Sequence, residues 1–315
     1  MENRKSIKAL ISNYFIYVIF LVLVIILTAM KPSFISPKNL ANILKQASIN
    51  GILAFGMMFV IISGGFDMSV GSTVAFTGIL AALLGNGQYP IALALVVALA
   101  GGLAVGIVNG VGIAVGDLPP FIMTLGTMTA VRGLALLISN GKPVTGISEA
   151  YREIAASDVM GIPTLAIFLL FVIIICSFVA TKTVYGRRVY ACGGNLQAAK
   201  VAGINTTMIW ISTFAIAGLL AGLCGFLMTS RITIGQPTAA ESYEMDAITA
   251  CVVGGVSMSG GVGNPFGVII GTLLITVIGN GLDILGVSSH WQKIVKGLII
   301  VIAVLIDVKG KSKKD

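Results

Sequence analysis

Charge is what this chain has least of: Asp, Glu, Lys and Arg make up 10% of its residues, against 57% that are hydrophobic. A soluble globule carries roughly 25% charged residues to cover its surface, so a water-soluble enzyme is excluded. A mean hydropathy of +1.01 points to lipid as the solvent. Histidine is nearly missing as well. With His290 alone there is no HExxH pair and no histidine-rich metal site, and a Ser/His/Asp triad would have to use a residue at the mouth of the last apolar run. No G-x-x-x-x-G-K-[ST] phosphate loop occurs, so if ATP drives this protein another chain binds it. The four cysteines, Cys176, Cys192, Cys224 and Cys251, stand singly with no CxxC pair. They read as small, reduced core residues rather than a disulfide framework.

What the chain has instead is apolar length. Ser12 to Met30 carries no charge, and Gly161 to Thr181, Ile204 to Ser230 and Gly263 to Leu282 are nearly as bare. A crossing helix needs about 20 apolar residues at 1.5 Å rise each. The whole of 1–315 therefore reads as one all-α integral membrane domain with about ten spans, the range being eight to eleven. They are placed at 11–30, 46–63, 68–85, 90–116, 120–139, 163–181, 207–229, 243–260, 264–284 and 291–307. The tail 1–10 holds Arg4, Lys5 and Lys8 as a secretory signal would, but the apolar run after it is too long for a signal core and reads as an uncleaved first span.

The net charge of +8 sits in patches at span ends rather than on one face, which fixes topology and does not imply nucleic acid. Loop 182–206 holds Lys182, Arg187, Arg188 and Lys200 with no acid, and tail 308–315 holds Lys309, Lys311, Lys313 and Lys314 against Asp315. Both belong inside with the N-terminus by the positive-inside rule, so the span number is even and both termini are cytoplasmic. Loop 140–162 balances Lys142 and Arg152 against Glu149, Glu153 and Asp158, as an outer loop does. Lys31, Lys38 and Lys45 run against the rule, because this topology puts them outside.

Glycines crowd the spans, Gly101, Gly102, Gly106, Gly110 and Gly112 among them, where small residues let membrane helices approach. Two clusters differ. Gly64-Gly-Phe-Asp-Met-Ser-Val-Gly71 and Gly254-Gly-Val-Ser-Met-Ser-Gly-Gly261 match at five of eight positions, and each is either a turn between spans or a break within one, the latter requiring protein or a wet cavity around it. Asp or Arg at a span centre costs about 2.5–3.5 kcal/mol and needs a partner or water. Asp67, Arg132, Glu244 and Asp246 are such charges, each either a structural pair or cap or part of a solute path. Asp117 and Asp283 fall near span ends and are expected to be solvated. Ser69, Asn109, Thr124, Thr127 and Gln292 can bond between helices or to a passing solute, the interhelical role being the commoner.

In the inner loop, Asn195 suits an N-cap, Leu196 to Ala202 are mostly helix formers, and Gly203 suits a C-terminal stop. Such a helix has about two turns, and isolated helices below about 12 residues melt. Its small face of Ala198, Ala199 and Ala202 must therefore dock, on this chain or on another.

Taken together, these motifs resemble the permease subunits of bacterial ATP-binding-cassette sugar importers of the ribose, xylose, arabinose and galactose type. The carriers are Gly64 to Ser72; Leu118-Pro-Pro-Phe-Ile-Met-Thr-Leu-Gly-Thr-Met128 with Arg132-Gly133; Tyr185-Gly-Arg to Gly203-Ile204; Glu244-Met-Asp-Ala-Ile248 with the paired glycines after it; and Trp291-Gln292, Lys296-Gly297 and Asp307. One departure is Leu196-Gln197, where the family usually has an acid or proline, which removes the basis for a charged contact there. The resemblance implies a non-enzymatic permease of the bacterial inner membrane, paired with a second permease copy as a homodimer or related heterodimer. It also implies a cytoplasmic ATPase that uses ATP and Mg, since this chain binds no cofactor, and an extracytoplasmic binding protein that delivers the cargo. The segment 183–205, with Gly186, Arg187, Gly193, Gly194, Asn195, Ala198, Ala199 and Gly203, would be the part that feels the ATPase. Nucleosides, polyols, a sugar-like signal and, more distantly, branched-chain amino acids are alternative cargoes. An ion-coupled carrier and an integral membrane enzyme are the competing classes.

Overall fold

The computed structural model describes residues 17–311. The tail 1–10, residues 11–16 of the expected first span and residues 312–315 of the basic tail lie outside them. Six helices are long and apolar enough to cross a membrane: α2 (Pro37–Ile62), α4 (Ile91–Ala114), α5 (Pro120–Ile138), α7 (Thr164–Lys182), α10 (Thr206–Ile232) and α12 (Pro265–Ile284). Shorter apolar helices are α1 (Tyr17–Met30) and α3 (Val70–Leu84). The rest are α6 (Glu149–Ala156), α8 (Val184–Gly194), α9 (Leu196–Val201), α11 (Tyr243–Val253) and α13 (Ser289–Lys311), with a two-residue hairpin pairing β1 (Asp158–Val159) to β2 (Ile162–Pro163). The chain is an all-α membrane protein.

Local chemistry sets the helix starts. Proline opens α2, α5 and α12, where its missing N–H costs nothing. Asn205 and Asn264 cap α10 and α12 through their side-chain oxygens, accepting from the amides of Met208 and Phe266 at 3.0 and 2.9 Å.

Helices α2 and α10 form the centre of the bundle, with α3, α4, α11 and α12 against them. Backbone packs on backbone between α4 and α10: a methyl group on Gly102 or Gly218 would collide with the other residue's carbonyl, and one on Gly110 would lie 2.6 Å from Cα of Ile211. Packing gains in lipid come from such approach, since apolar burial drives nothing there.

Two expected spans are corrected. The segment 243–260 is not one helix, for α11 ends at Val253 and residues 254–264 turn, with Gly255, Gly260 and Gly261 at φ +84°, +80° and +72°. The span 46–63 begins earlier, at Pro37, because Ser36 caps a helix whose first turns are polar. Lys31, Lys38 and Lys45 then precede the apolar part, and Lys45 Nζ donates to the carbonyl of Ala156 at the end of α6. That contact puts Lys45 with loop 140–162, at the opposite end of the bundle from α8 and α9. The loop is tied down there by Tyr151, whose hydroxyl donates to the Phe226 carbonyl at 2.8 Å and whose ring stacks on Phe226 at 4.7 Å.

Candidate functional site

The first glycine cluster is a connection of Ser63 to Ser69 between α2 and α3, and it buries an acid. Asp67 is 1% exposed. Its Oδ1 accepts from the Ser69 amide at 2.7 Å and the Ser69 hydroxyl at 2.6 Å, closing a turn over the start of α3. From α4, Asn109 Nδ2 donates to Ser69 Oγ at 2.8 Å and reaches Asp67 Oδ2 at 3.4 Å. Asp67, Ser69 and Asn109 thus form one buried cluster, while Asn109 Oδ1 has no partner.

A second group lies around the entry to α11. Arg132 of α5 donates through Nη1 to the carbonyls of Pro237 and Ala239, both at 2.8 Å. Its charge also bears on Glu241 and Glu244. This arginine holds an irregular segment, residues 233–242, against α5, while Val144 and Gly235 exchange two backbone hydrogen bonds of 2.8 Å on its other side. Glu244 is buried beside α3, so close that a β-carbon on Gly71 would meet its carboxylate. Two residues further on, Asp246 pairs with Lys296 Nζ of α13 at 2.7 Å. Thr124 and Thr127 stand apart from these groups, each hydroxyl donating to the carbonyl four residues back in α5, at 2.8 and 3.0 Å.

The third group joins the inner loop to both glycine clusters. Thr183 caps α8 by accepting from the Gly186 amide at 3.1 Å, and Asn195 caps α9 by accepting from the Ala198 amide at 2.9 Å. Gly203 ends the helix at φ +77°. Gly186 lies where a β-carbon would strike the carbonyls of Val179 and Ala180, so the α7–α8 corner needs glycine. The C-terminus of α8 is seated on the end of α2: a β-carbon on Gly193 would overlap the carbonyl oxygen of Ile62. That same oxygen accepts the Gly261 amide at 2.9 Å. Gly260 in turn packs on Gly193 and Gly64, where its β-carbon would come within 2.8 Å of Gly193 O and 3.0 Å of Gly64 Cα. Tyr190 adds a bond from its hydroxyl to the Gly263 carbonyl at 2.9 Å. Burial pushes the Cys192 thiol and the Tyr185 and Tyr190 phenols up from their ordinary values, so all three stay neutral at physiological pH.

Ala199 faces this chain's own body, whereas Ala198, Lys200, Val201 and Ala202 face away, Val201 being 90% exposed. Arg187, Arg188 and Gly194 are exposed on the same corner. This end of the molecule is therefore a small surface on which Ala198, Val201 and Ala202 stand beside Gln197 and Lys200 with Arg187 and Arg188 at the rim, and it rests on both irregular connections.

Residues 39–304 match the family described as branched-chain amino acid transport system / permease component. The chain belongs to this permease family. It is 45% identical over 291 residues to the ribose import permease protein of Bacillus subtilis strain 168, covering 91% of this chain and 90% of that one. To the ribose import permease protein of Escherichia coli strain K12 it is 41% identical over 293 residues, 92% and 91% of the two chains. The galactose/methyl galactoside import permease protein of Salmonella typhimurium strain LT2 is 38% identical over 331 residues, 99% and 98%. No solved structure matches. The resemblance to importer permeases that the motifs carried is thereby borne out.

Some of this permease's site residues escape sequence reasoning. Lys296 is legible as a charge but not as the partner of an acid 50 positions earlier. The meeting of Gly193 with Gly260 and Gly261 leaves no trace beyond the glycines themselves. A search for opposite charges inside apolar runs would have found the first; nothing would have found the second.

Proposed function

We propose that this permease forms the membrane path of an ATP-driven importer for ribose. The observation that carries the substrate is the identity of 41–45% with several ribose import permeases over nine-tenths of both chains. On this reading α1, α3 and α13, with α11 taken together with the irregular segments that flank it, complete ten crossings with the six long helices; the termini and α8–α9 face the cytoplasm, and loop 140–162 faces the exterior of the bacterial inner membrane. Two permease copies, a soluble ATPase with ATP and Mg, and an extracytoplasmic binding protein make up the transporter.

The corner α8–α9 is the part that feels the ATPase. A helix this short moves as a rigid body with whatever it docks on. Its outward face of Ala198, Val201 and Ala202 supports an apolar contact with the partner, and Arg187 and Arg188 are positioned to meet carboxylates at the rim. Because Gly193 leaves no gap to α2 or to the second connection, a push on α9 is delivered to both glycine clusters. The assembled transporter in proteoliposomes, loaded with ATP inside, is expected to take up labelled ribose and to leave leucine outside. Uptake of leucine in place of ribose would overturn the substrate assignment.

A further inference from the structure

Helices α2, α10, α11, α12 and α13 wall a cavity of about 370 Å³ that takes in the Asp246–Lys296 pair but is otherwise separate from the groups above, at the lower end of the roughly 300–1,000 Å³ of small-molecule sites. It lies toward the end of the bundle that carries α6, between the end of α10 and the α12–α13 turn. Its lining holds two cations, Arg231 and Lys296, and two carboxylates, Asp246 and Asp283, so its formal charge is balanced. Part of this equipment is already engaged, Lys296 with one oxygen of Asp246 at 2.7 Å and Gln292 with one oxygen of Asp283 at 2.7 Å. The remaining parts are open. Among the described residues the second oxygen of each carboxylate accepts no hydrogen bond, and the Arg231 guanidinium makes no hydrogen bond or ion pair. Thr276 is 2% exposed, and its hydroxyl has no partner. Thr249 of α11 returns its hydroxyl to the carbonyl four residues back at 2.6 Å; Thr276 does not.

Open donors and open acceptors set side by side around a neutral cavity match a molecule whose groups each donate and accept, as hydroxyls do. An anion would meet two carboxylates, and a cation would meet two basic side chains. We infer that this cavity binds an uncharged polyhydroxylated solute, with Thr276, Arg231, Asp246 and Asp283 supplying the hydrogen bonds and Tyr243 an apolar ring face. The inference rests on the proposed function for its choice of solute, a pentose. It adds a stopping point inside one protomer, which the solute reaches from the α6 end.

A probe can be placed without disturbing the wall, because a β-carbon on Gly279 meets nothing within 4 Å and the four native cysteines are buried. The Gly279→Cys variant, assembled with its ATPase and binding protein in nanodiscs, is treated with a small charged thiol reagent with and without ribose. Ribose is expected to slow labelling at least about 3-fold, and an equal concentration of a disaccharide is not. Removing a buried hydroxyl that has no partner leaves folding neutral or improved, so Thr276→Val should keep the melting temperature while weakening ribose protection by about 3- to 10-fold. Arg231→Gln should weaken it further. Labelling that ignores ribose in assemblies that import ribose overturns the cavity and leaves the proposed function standing. Protection that tracks the anionic lipid content of the disc instead of ribose overturns it too. Wild-type assemblies that import no ribose, an outcome read from uptake before any labelling, would bring down the proposed function and with it the pentose in this cavity.

Discussion

Asp67 and Asp246 are both acids within a membrane domain, yet the chemistry around them differs. Asp67 accepts from an amide and a hydroxyl next to it in sequence, a contact that an asparagine oxygen reproduces. Asp67→Asn should therefore retain fold and transport, whereas Asp67→Ala should lose on the order of 1–2 kcal/mol of stability through the lost turn hydrogen bonds, measured as a shift in thermal unfolding in detergent. A stability loss in the Asn variant equal to that of Ala would mean that the negative charge itself matters. Asp246 is different because its partner carries a full charge. Taking away one member strands the other, so Asp246→Ala alone should cost on the order of 3 kcal/mol, and pairing it with Lys296→Met should restore most of that loss. A double variant as unstable as the sum of the two single variants would show that the ion pair contributes no coupling.

Elements were legible in proportion to how little depended on distant partners. Apolar runs bounded by proline or a capping side chain located α5 and α12 to within a residue: 120–139 against Pro120–Ile138, and 264–284 against Pro265–Ile284. The capped helix in the inner loop was equally readable, since Asn195 and Gly203 act within one turn of themselves. Reading failed where composition and conformation diverge. Residues 254–260 are apolar enough for a span, but positive φ at Gly255 and Gly260 ends the helix and frees Gly261 to reach Ile62. Adjacent glycines test that seat. A β-carbon on Gly193 overlaps the Ile62 carbonyl, while one on Gly194 has only Gly261 Cα, 4.0 Å away. Gly194→Ala should transport normally, and Gly193→Ala should lose either assembly or the coupling of ATP hydrolysis to uptake; equal behaviour of the two would remove the seat from the mechanism. The same contrast separates the two sides of α9. Ala199→Trp has no room in its own chain and should lower the yield of folded protein, whereas Val201→Asp, on the outward face, should fold normally and bind the ATPase weakly in pull-down.

At the scale of the whole molecule, what decides between an ATP-driven and an ion-driven carrier is whether any acid in the membrane region is free to bind and release a cation. A carrier of that kind needs exchangeable carboxylates or carbonyls at a broken helix. Both irregular connections of this chain exist, yet they are spent on one another: Ile62 O is taken by Gly261, Gly193 fills the space between them, and Asp67 is turned back on Ser69. Asp246 is held by Lys296, and Glu244 lies in the field of Arg132. With Asp67, Asp246 and Glu244 partnered in this way, the proposed route for energy is the mechanical one, from the ATPase through α9 and Gly193. The permease reconstituted alone should therefore move no ribose under a proton or sodium gradient, and ribose uptake should begin when ATPase, binding protein and ATP are all supplied. Gradient-driven uptake by the lone chain would mean that one of these carboxylates exchanges its partner for an ion during transport, and the Asp246→Asn variant would identify which by abolishing or sparing it.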